Sequence, residues 1–213
     1  MKRTTVLLAD DHAIVVEGLR RILEPDFDVV GVAGDGYALI RAAALLRPDV
    51  IVMDVSMPLL NGIEAARQIR AAAQAVKIVF LSMHPDVIYV SEALQAGGSA
   101  YVLKSSAGTE IVTAIREALQ GVTFVTSAID RPTLEAQMRR DLHSHDALHG
   151  LSPRRREVLQ MVAEGLSTKE IAGVLHISPR TVEFHRYRVM ESLGLHSIAE
   201  LVQYAIKHHL VSP

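Results

Sequence analysis

Four short apolar runs in the chain each end in a polar side chain that could take part in chemistry. Asp54 follows the run VIVM, and the acidic pair Asp10 and Asp11 follows the run VLLA. Ser82 ends the run KIVFL, and Lys104 ends the run AYVL. The carboxyl ends of parallel strands meet at one crevice, where such sheets bind ligands. The sequence therefore predicts that three carboxylates, a hydroxyl and an ammonium group meet at one edge of a sheet.

This combination of groups indicates a divalent-metal and phosphoryl-transfer site. Two or three carboxylates with water molecules supply the hard oxygen ligands that octahedral Mg²⁺ prefers, and carboxylates packed together need a cation because they repel one another. Asp54 can attack phosphorus as a nucleophile and form an acyl-phosphate. Lys104 and Ser82 can hold phosphoryl oxygens. A lone aspartate at a strand end is more often structural, so the prediction depends on the whole set.

Apolar periodicity predicts the elements that must position these groups. In residues 1–121, short apolar runs alternate with segments whose apolar residues recur at helical spacing. The predicted strands are 4–10, 28–33, 50–54, 77–82 and 100–104, and the predicted helices are 13–24, 36–47, 61–73, 86–96 and 108–120. Such alternation implies right-handed crossovers and a doubly wound, five-stranded parallel sheet with helices on both faces.

Residues 122–150 break this pattern and are predicted to be a linker, with a candidate short helix over 133–142. The linker contains His143, His145 and His149, which raise the alternative of a metal site. No recognisable ligand spacing with a carboxylate or cysteine surrounds them. Exposed linker histidines are therefore the favoured interpretation.

From residue 151 the pattern is helical, in four segments separated by capping residues. Ser152 and Ser178 each precede a proline, which is the order typical of an N-cap followed by Pro at the first helical position. Ser167 and Glu170 have the spacing of a capping box. A last helix is predicted over 197–205.

The second and third helical segments have the relation of a helix-turn-helix. The first is predicted over 168–175, and the second runs from Pro179 to about Leu193. The residues expected to be buried between them are Ile171, Ala172, Leu175, Ile177, Val182 and Val189. The candidates for base contacts are Arg180, Glu183, Phe184, Tyr187 and Arg188, and those for phosphate contacts are Lys169, Thr181 and Arg186. A plain helical bundle with a charged outer face is the alternative.

Residues 1–121 resemble the receiver domain of a two-component response regulator. The matching residues are Asp10, Asp11, the segment DVSMPLLNG at 54–62, Ser82, Tyr101 and Lys104. The resemblance implies a flavodoxin-like fold in which Asp54 accepts phosphate from a sensor histidine kinase. The implied Mg²⁺ ligands are Asp10, Asp11, Asp54 and the backbone carbonyl of Ser56, and the implied switch pair is Ser82 and Tyr101. Many receivers have proline after the lysine, whereas Ser105 follows Lys104 here.

The segments LSPRRREVL, AEGLSTKEIA and ISPRTVEFH, at 151–159, 163–172 and 177–185, resemble the LuxR-type helix-turn-helix. A receiver joined to this module is the architecture of the NarL/FixJ subfamily. The resemblance implies a receiver domain over 1–121, a linker over 122–150 and an all-α, four-helix DNA-binding domain over 151–213. It also implies a regulator that dimerises on phosphorylation and binds promoter DNA, with RNA polymerase as a candidate further partner.

Composition limits the class of protein. The 213 residues are 49% hydrophobic and 22% charged, which favours folded domains over disorder. No apolar run approaches the ~18–20 residues of a membrane span, and the start of the chain lacks the features of a signal peptide. The chain has no cysteine, so disulfides and thiolate metal sites are excluded. These features favour a cytoplasmic protein.

Two other classes of protein compete with this interpretation. An aspartate-nucleophile phosphatase or phosphotransferase usually carries a second aspartate two residues after the nucleophile, and Ser56 occupies that position. A DNA-binding protein whose receiver works without phosphorylation would not need the complete set of acidic residues, serine and lysine. We therefore predict a response regulator that is not an enzyme beyond its own phosphorylation and slow autodephosphorylation.

Overall fold

The computed structural model describes residues 3–72, 75–141, 150–208 and 210–211. The chain divides into two compact units, which are described separately. The N-terminal unit includes residues 3–57 and most of 61–141, and the C-terminal unit includes the described residues from Gly150 onward. The histidines of the predicted linker, at 143, 145 and 149, lie outside the described residues. No helix in the described ranges is long and apolar enough to cross a membrane.

The N-terminal unit is built on a parallel sheet. Its strands are β1 (Thr5–Ala9), β2 (Asp28–Ala33), β3 (Val50–Asp54), β4 (Lys77–Ser82), β5 (Ala100–Leu103) and β6 (Phe124–Val125). The strand order is β2-β1-β3-β4-β5-β6, and every neighbouring pair is parallel. The first five strands lie where the apolar runs predicted them, which places the carboxyl ends of β1, β3, β4 and β5 at one edge.

Helices connect the strands of this unit. They are α1 (Ala13–Leu23), α2 (Gly36–Leu46), α3 (Gly62–Ala72), α4 (Val87–Gln95), α5 (Ala107–Leu119) and α6 (Arg131–Asp141), with a 3-10 helix at Lys104–Ser106. The first five agree with the predicted helices to within a residue or two, so the doubly wound α/β class is confirmed. The candidate helix over 133–142 is present as α6, although residue 142 lies outside the described residues.

The core explains why the strands are continuous apolar runs. On one face of the sheet, Leu8, Val52 and Val79 pack in a cluster with Leu19 of α1 and Ile115 of α5. Both faces of the central strands are covered by helices, so consecutive residues along a strand are buried although their side chains point to opposite faces. Because these strands are held on both sides, the polar residues at their carboxyl ends project from a rigid frame.

The sixth strand corrects the prediction of a five-stranded sheet. β6 pairs with β5 in the register Ala100↔Phe124 and Tyr101↔Val125, and α6 packs against α4. A two-residue strand has too little alternation to be recognised in the sequence. Part of the segment predicted as linker is therefore folded onto the N-terminal unit.

A carboxylate at the start of α5 holds the chain that leaves β6. Glu110 accepts a hydrogen bond from the Thr126 hydroxyl, from the Ser127 hydroxyl at 3.0 Å and from the Ser127 N–H at 3.3 Å. Burial would raise the pKa of Glu110, but these hydrogen bonds hold it below its usual value. The ionised carboxylate therefore stabilises this contact at neutral pH, and the stabilisation is lost as the pH falls through the lowered pKa.

We expect Glu110→Gln to loosen the segment after β6 without unfolding the sheet. Amide exchange at Thr126 and Ser127 should accelerate about fivefold, since a hydrogen bond typically contributes about 1 kcal/mol. Hydrogen–deuterium exchange of the full-length protein measures this, with Glu117→Gln on the same helix as the control. Equal exchange in the two variants would show that the Glu110 contacts do not hold the segment.

The C-terminal unit consists of four described helices. They are α7 (Pro153–Ala163), α8 (Thr168–Leu175), α9 (Pro179–Leu193) and α10 (Ile198–Lys207). The capping box of Ser167 and Glu170 is present, and Ser178 accepts a hydrogen bond from the Thr181 N–H at 3.1 Å. Gly194 ends α9 with a φ of 65°, in the left-handed region that favours glycine. The helices begin and end close to their predicted bounds because these capping residues fix them.

Two details of this unit differ from expectation. Ser152 stands at the N-cap position of α7, but its side chain makes no capping hydrogen bond. Ile177 is half-buried, whereas the five other residues predicted between the helices are buried. Ile177 lies in the turn that joins α8 to α9, after the left-handed C-cap His176, and its side chain is only partly covered there.

Candidate functional site

The acidic residues that follow β1 and β3 converge on one cluster. Asp10 and Asp54 are each 3% exposed, and Asp11 lies at the surface beside them. One side-chain ligand atom from each of Asp10, Asp11, His12 and Asp54 lies within 4.8 Å of the others. Such a spacing of hard oxygen donors suits a divalent cation. The predicted meeting of the three carboxylates is thus present, and His12 adds a fourth potential ligand.

His12 is a member of the cluster that sequence reasoning missed. The backbone N–H of His12 donates to Asp10 Oδ1 at 2.8 Å, and its ring Nδ1 lies 2.9 Å from Asp11 Oδ1. The ring is largely exposed, so it sits at the mouth of the cluster. The only signal in the sequence is its position directly after the acidic pair.

Lys104 joins the two buried carboxylates. Its Nζ lies 2.8 Å from Asp10 Oδ2 and 2.7 Å from Asp54 Oδ2. The other oxygen of Asp54, Oδ1, accepts a hydrogen bond from the Ser56 N–H at 3.3 Å. One ammonium group thereby compensates two carboxylates that would otherwise repel each other at the end of the sheet.

The electrostatics of the cluster follow from burial and from this ammonium group. Burial raises the pKa of Asp54, although the hydrogen bond and charge of Lys104 act in the opposite direction. Burial alone would lower the pKa of Lys104, but hydrogen bonds to Asp10 and Asp54 hold it above its usual value. Lys104 therefore remains a cation at neutral pH and is available to stabilise negative charge at this edge.

Ser82 and Tyr101 are connected through the loop that follows β4. The buried Ser82 hydroxyl oxygen accepts a hydrogen bond from the His84 N–H at 3.0 Å. The Tyr101 ring is fully buried, and its hydroxyl donates to the His84 carbonyl at 2.8 Å. The His84 ring stacks on Tyr89 of α4 with centroids 4.6 Å apart. His84 is the common partner of both residues of the implied switch pair.

The peptide bond after Lys104 is trans, as are all others in the described residues. Ser105, which replaces the proline of many receivers, lies in the 3-10 helix at Lys104–Ser106. This short helix leads directly into α5. The Lys104 side chain therefore contacts Asp10 and Asp54 even though serine, and not proline, follows it.

The outer face of α9 carries the residues predicted to contact DNA. Arg180, Glu183, Phe184, Tyr187 and Arg188 are all exposed. Of the three predicted phosphate contacts, Lys169 is exposed, whereas Thr181 and Arg186 are half-buried. The inner face of the helix is fixed by the buried Val182 and Val189. The arrangement presents one side of α9, and the adjoining start of α8, to solvent.

Comparison with known proteins agrees with this division of the chain. Residues 6–116 match the response regulator receiver domain, and residues 149–205 match the bacterial regulatory proteins of the luxR family. The response regulator UvrY of Escherichia coli strain K12 is 35% identical over 207 residues, which cover 96% of this chain and 94% of UvrY.

Solved structures of similar proteins include regulators bound to DNA. RcsB from Salmonella enterica serovar Typhimurium, bound to a promoter in the presence of the phosphomimetic BeF3-, has a TM-score of 0.61 and 28% identity, with all of both chains covered. A structure of two RcsB dimers bound to two parallel DNAs has a TM-score of 0.57 and 29% identity, covering 95% of this chain and 98% of the other.

The chain belongs to the two-component response regulators of the NarL/FixJ type, which combine a receiver domain with a LuxR-type DNA-binding domain. It is a DNA-binding transcription regulator, and its family is not one of catalytic enzymes. The acidic cluster belongs to the receiver domain, and the exposed face of α9 belongs to the DNA-binding domain.

Proposed function

We propose that Asp54 is the phosphoacceptor and that its phosphorylation by a sensor histidine kinase controls DNA binding. The observation that carries this proposal is the contact of Lys104 with both Asp10 and Asp54. An ammonium group held at the reactive carboxylate is placed to stabilise the charge of an incoming phosphoryl group. An Asp54 carboxylate oxygen would form a new bond to phosphorus while the bond between phosphorus and the kinase histidine nitrogen breaks. The products would be an acyl-phosphate on Asp54 and a free imidazole on the kinase.

A divalent cation completes the proposed site. We assign Mg²⁺ to Asp10, Asp11, Asp54 and the backbone carbonyl of Ser56. The donor set fits, since carboxylate and carbonyl oxygens are the ligands that Mg²⁺ prefers, and carboxylate oxygens of Asp10, Asp11 and Asp54 lie within 4.8 Å of one another. When bound, the cation would neutralise charge on the transferred phosphoryl group. Slow autodephosphorylation of Asp54 would return the domain to rest.

Ser82 and Tyr101 are proposed to report the state of Asp54. The shared contact with His84 supports this role, because a shift of Ser82 toward a phosphoryl oxygen would release the His84 N–H and move the carbonyl that Tyr101 binds. Such a pair of alternative packings biased by a new charge is a recurrent switching device.

The DNA-binding part of the proposal assigns contacts on α8 and α9. Base contacts are given to Arg180, Glu183, Phe184, Tyr187 and Arg188, and phosphate contacts are given to Lys169, Thr181 and Arg186. A homodimer formed on phosphorylation would raise the effective concentration of the second DNA-binding domain at a paired half-site. The proposal includes a receiver domain over 1–121, which β6 and α6 extend by packing onto it, and a DNA-binding domain over 151–213. It also includes a cytoplasmic location and RNA polymerase as a further partner.

The test compares promoter binding by the wild type and Asp54→Ala, with and without acetyl phosphate and Mg²⁺. We expect the wild type to gain about a hundredfold in affinity only when both reagents are present, because two tethered domains then bind together. Asp54→Ala should show no gain. Asp28→Ala, which removes an exposed carboxylate at the start of β2, is the matched control and should respond like the wild type.

Dimer formation is measured in the same samples by analytical ultracentrifugation. A dimer fraction that rises only in phosphorylated wild type and Asp28→Ala would support control through Asp54. If Asp54→Ala binds DNA and dimerises as the wild type does under every condition, the receiver domain is a scaffold and the proposal fails.

A further inference from the structure

The exposed face of α9 is chemically unusual for a helix that approaches a polyanion. It presents a carboxylate, Glu183, whose side chain is 57% exposed, and two aromatic rings, Phe184 at 53% and Tyr187 at 63%. DNA phosphates repel a carboxylate, so Glu183 at this surface weakens nonspecific binding. A carboxylate on a DNA-reading face gains from contact only where a base edge donates a hydrogen bond to it.

The major groove offers a limited set of donors to such a carboxylate. The donors are the cytosine N4 and adenine N6 amino groups, whereas the guanine edge carries acceptors only. Glutamate characteristically accepts from cytosine N4, because adenine places the N7 acceptor, which repels a carboxylate, beside its N6 donor. Glu183 is the fifth residue of α9, in the half of a recognition helix that meets base edges. It is therefore positioned to favour a C·G base pair and to disfavour guanine at the same position.

Arg186 forms an ion pair with Glu183 without removing it from the surface. Its guanidinium lies 3.5 Å from the Glu183 carboxylate, and its side chain is 30% exposed. A nearby cation offsets part of the repulsion between Glu183 and the phosphates. Because the contact uses one side of the carboxylate, another lone pair remains for a base.

Phe184 and Arg188 form a second, adjacent reading group. The Arg188 guanidinium lies 5.5 Å from the centre of the Phe184 ring and is also bound by Glu191 at 2.7 Å. These two contacts limit the orientations that the Arg188 side chain can adopt. The rest of the Phe184 ring stays exposed. An exposed ring beside base edges suits apolar contact with the C5-methyl group of thymine.

We propose, resting on the DNA contacts proposed above, that each half-site contains a cytosine read by Glu183 next to a thymine whose methyl group contacts Phe184. Glu183 and Phe184 are neighbours in sequence, so they reach adjacent base pairs, since the helix rises only about 1.5 Å per residue. Glu183 and Phe184 thus set the preference at these two base pairs, beside the base contacts proposed for Arg180, Tyr187 and Arg188.

The first test selects duplexes from a randomised pool with full-length protein, acetyl phosphate and Mg²⁺. We expect the wild type to enrich a cytosine at one position of each half-site. Glu183→Gln should shift that position toward adenine, because glutamine pairs with the N6 and N7 edge of adenine. Lys169→Gln is the control, since losing a phosphate contact should lower affinity for all sequences alike and leave the preference unchanged.

The second test replaces thymine by uracil in the selected duplex, which removes the C5-methyl group and nothing else. Wild-type affinity should fall about threefold to tenfold at one thymine per half-site, and Phe184→Ala should be insensitive to the replacement. In a direct titration, exchanging the cytosine for adenine should weaken wild-type binding about tenfold or more.

The outcomes separate the two proposals. If the wild type enriches no motif, the DNA-binding assignment of this face fails together with the base preference. If it enriches a motif that Glu183→Gln leaves unchanged, DNA binding stands and the cytosine assignment is overturned. A selected thymine whose replacement by uracil affects the wild type and Phe184→Ala equally would overturn the methyl contact.

Discussion

Lys104→Met is expected to reduce the rate of phosphoryl uptake by Asp54 about a hundredfold or more. The variant keeps an unbranched side chain but removes the ammonium group that lies within 2.8 Å of both Asp10 and Asp54. Removing one electrostatic stabiliser of a developing charge typically costs about 10²–10³ in rate. The phosphorylated fraction, measured over time by intact mass after adding acetyl phosphate and Mg²⁺, gives this rate.

The same variant should bind Mg²⁺ about tenfold more tightly than the wild type. Lys104 competes with a cation for Asp10 and Asp54. Unit charges about 4 Å apart interact by about 1 kcal/mol in water and about 4 kcal/mol at an effective dielectric constant near 20, and a tenfold change in affinity corresponds to about 1.4 kcal/mol, near the lower of these values. Isothermal titration calorimetry measures the change. Slower phosphoryl uptake together with tighter Mg²⁺ binding is the distinguishing result. A variant that merely unfolds would lose both phosphoryl uptake and Mg²⁺ binding.

Lys77→Met is the matched control, because Lys77 begins β4 at the opposite end of the sheet. It should leave both uptake and Mg²⁺ affinity unchanged. If Lys104→Met behaves as this control does, the contacts of Lys104 with the carboxylates are structural only, and the proposed role in phosphoryl transfer is wrong.

Gly62→Ala is expected to destabilise the receiver domain by about 3 kcal/mol, at the upper end of the usual cost of overpacking. A Cβ at position 62 would lie 2.1 Å from the Asp54 carbonyl oxygen and 3.2 Å from the Val55 Cα. Both contacts are with backbone, which cannot move aside as a flexible side chain can. Because the strained backbone is that of Asp54 itself, phosphoryl uptake should fall together with stability.

Gly18→Ala provides the control for this prediction. Nothing lies within 4 Å of a Cβ at position 18, which is in the middle of α1. Alanine there should stabilise the domain by about 0.5–1 kcal/mol through its higher helix propensity. Urea unfolding followed by circular dichroism measures both variants. A Gly62→Ala protein as stable as the wild type would show that the backbone at Asp54 can relax.

The sequence by itself determined where the strands end and which residues stand there. A strand covered on both faces must be a continuous apolar run, so the first polar residue marks its end, as at Asp54 and Lys104. Capping residues likewise fixed the bounds of α8 and α9, because Ser167 and Ser178 satisfy backbone N–H groups that would otherwise be left without partners. These signals depend only on residues close together in the sequence, so they can be read from the sequence of one protein.

Only the tertiary structure decided which of these groups touch. Lys104 and Asp54 are 50 residues apart in sequence, and their contact depends on strand order and register, which composition does not encode. The addition of β6 to the sheet and the hydrogen bond from Tyr101 to the His84 carbonyl are equally nonlocal. Every residue carries a backbone carbonyl, so the residue type does not show which carbonyl accepts a side-chain hydrogen bond. A two-residue strand is too short to show an alternating pattern. Neither feature could therefore be predicted from the sequence.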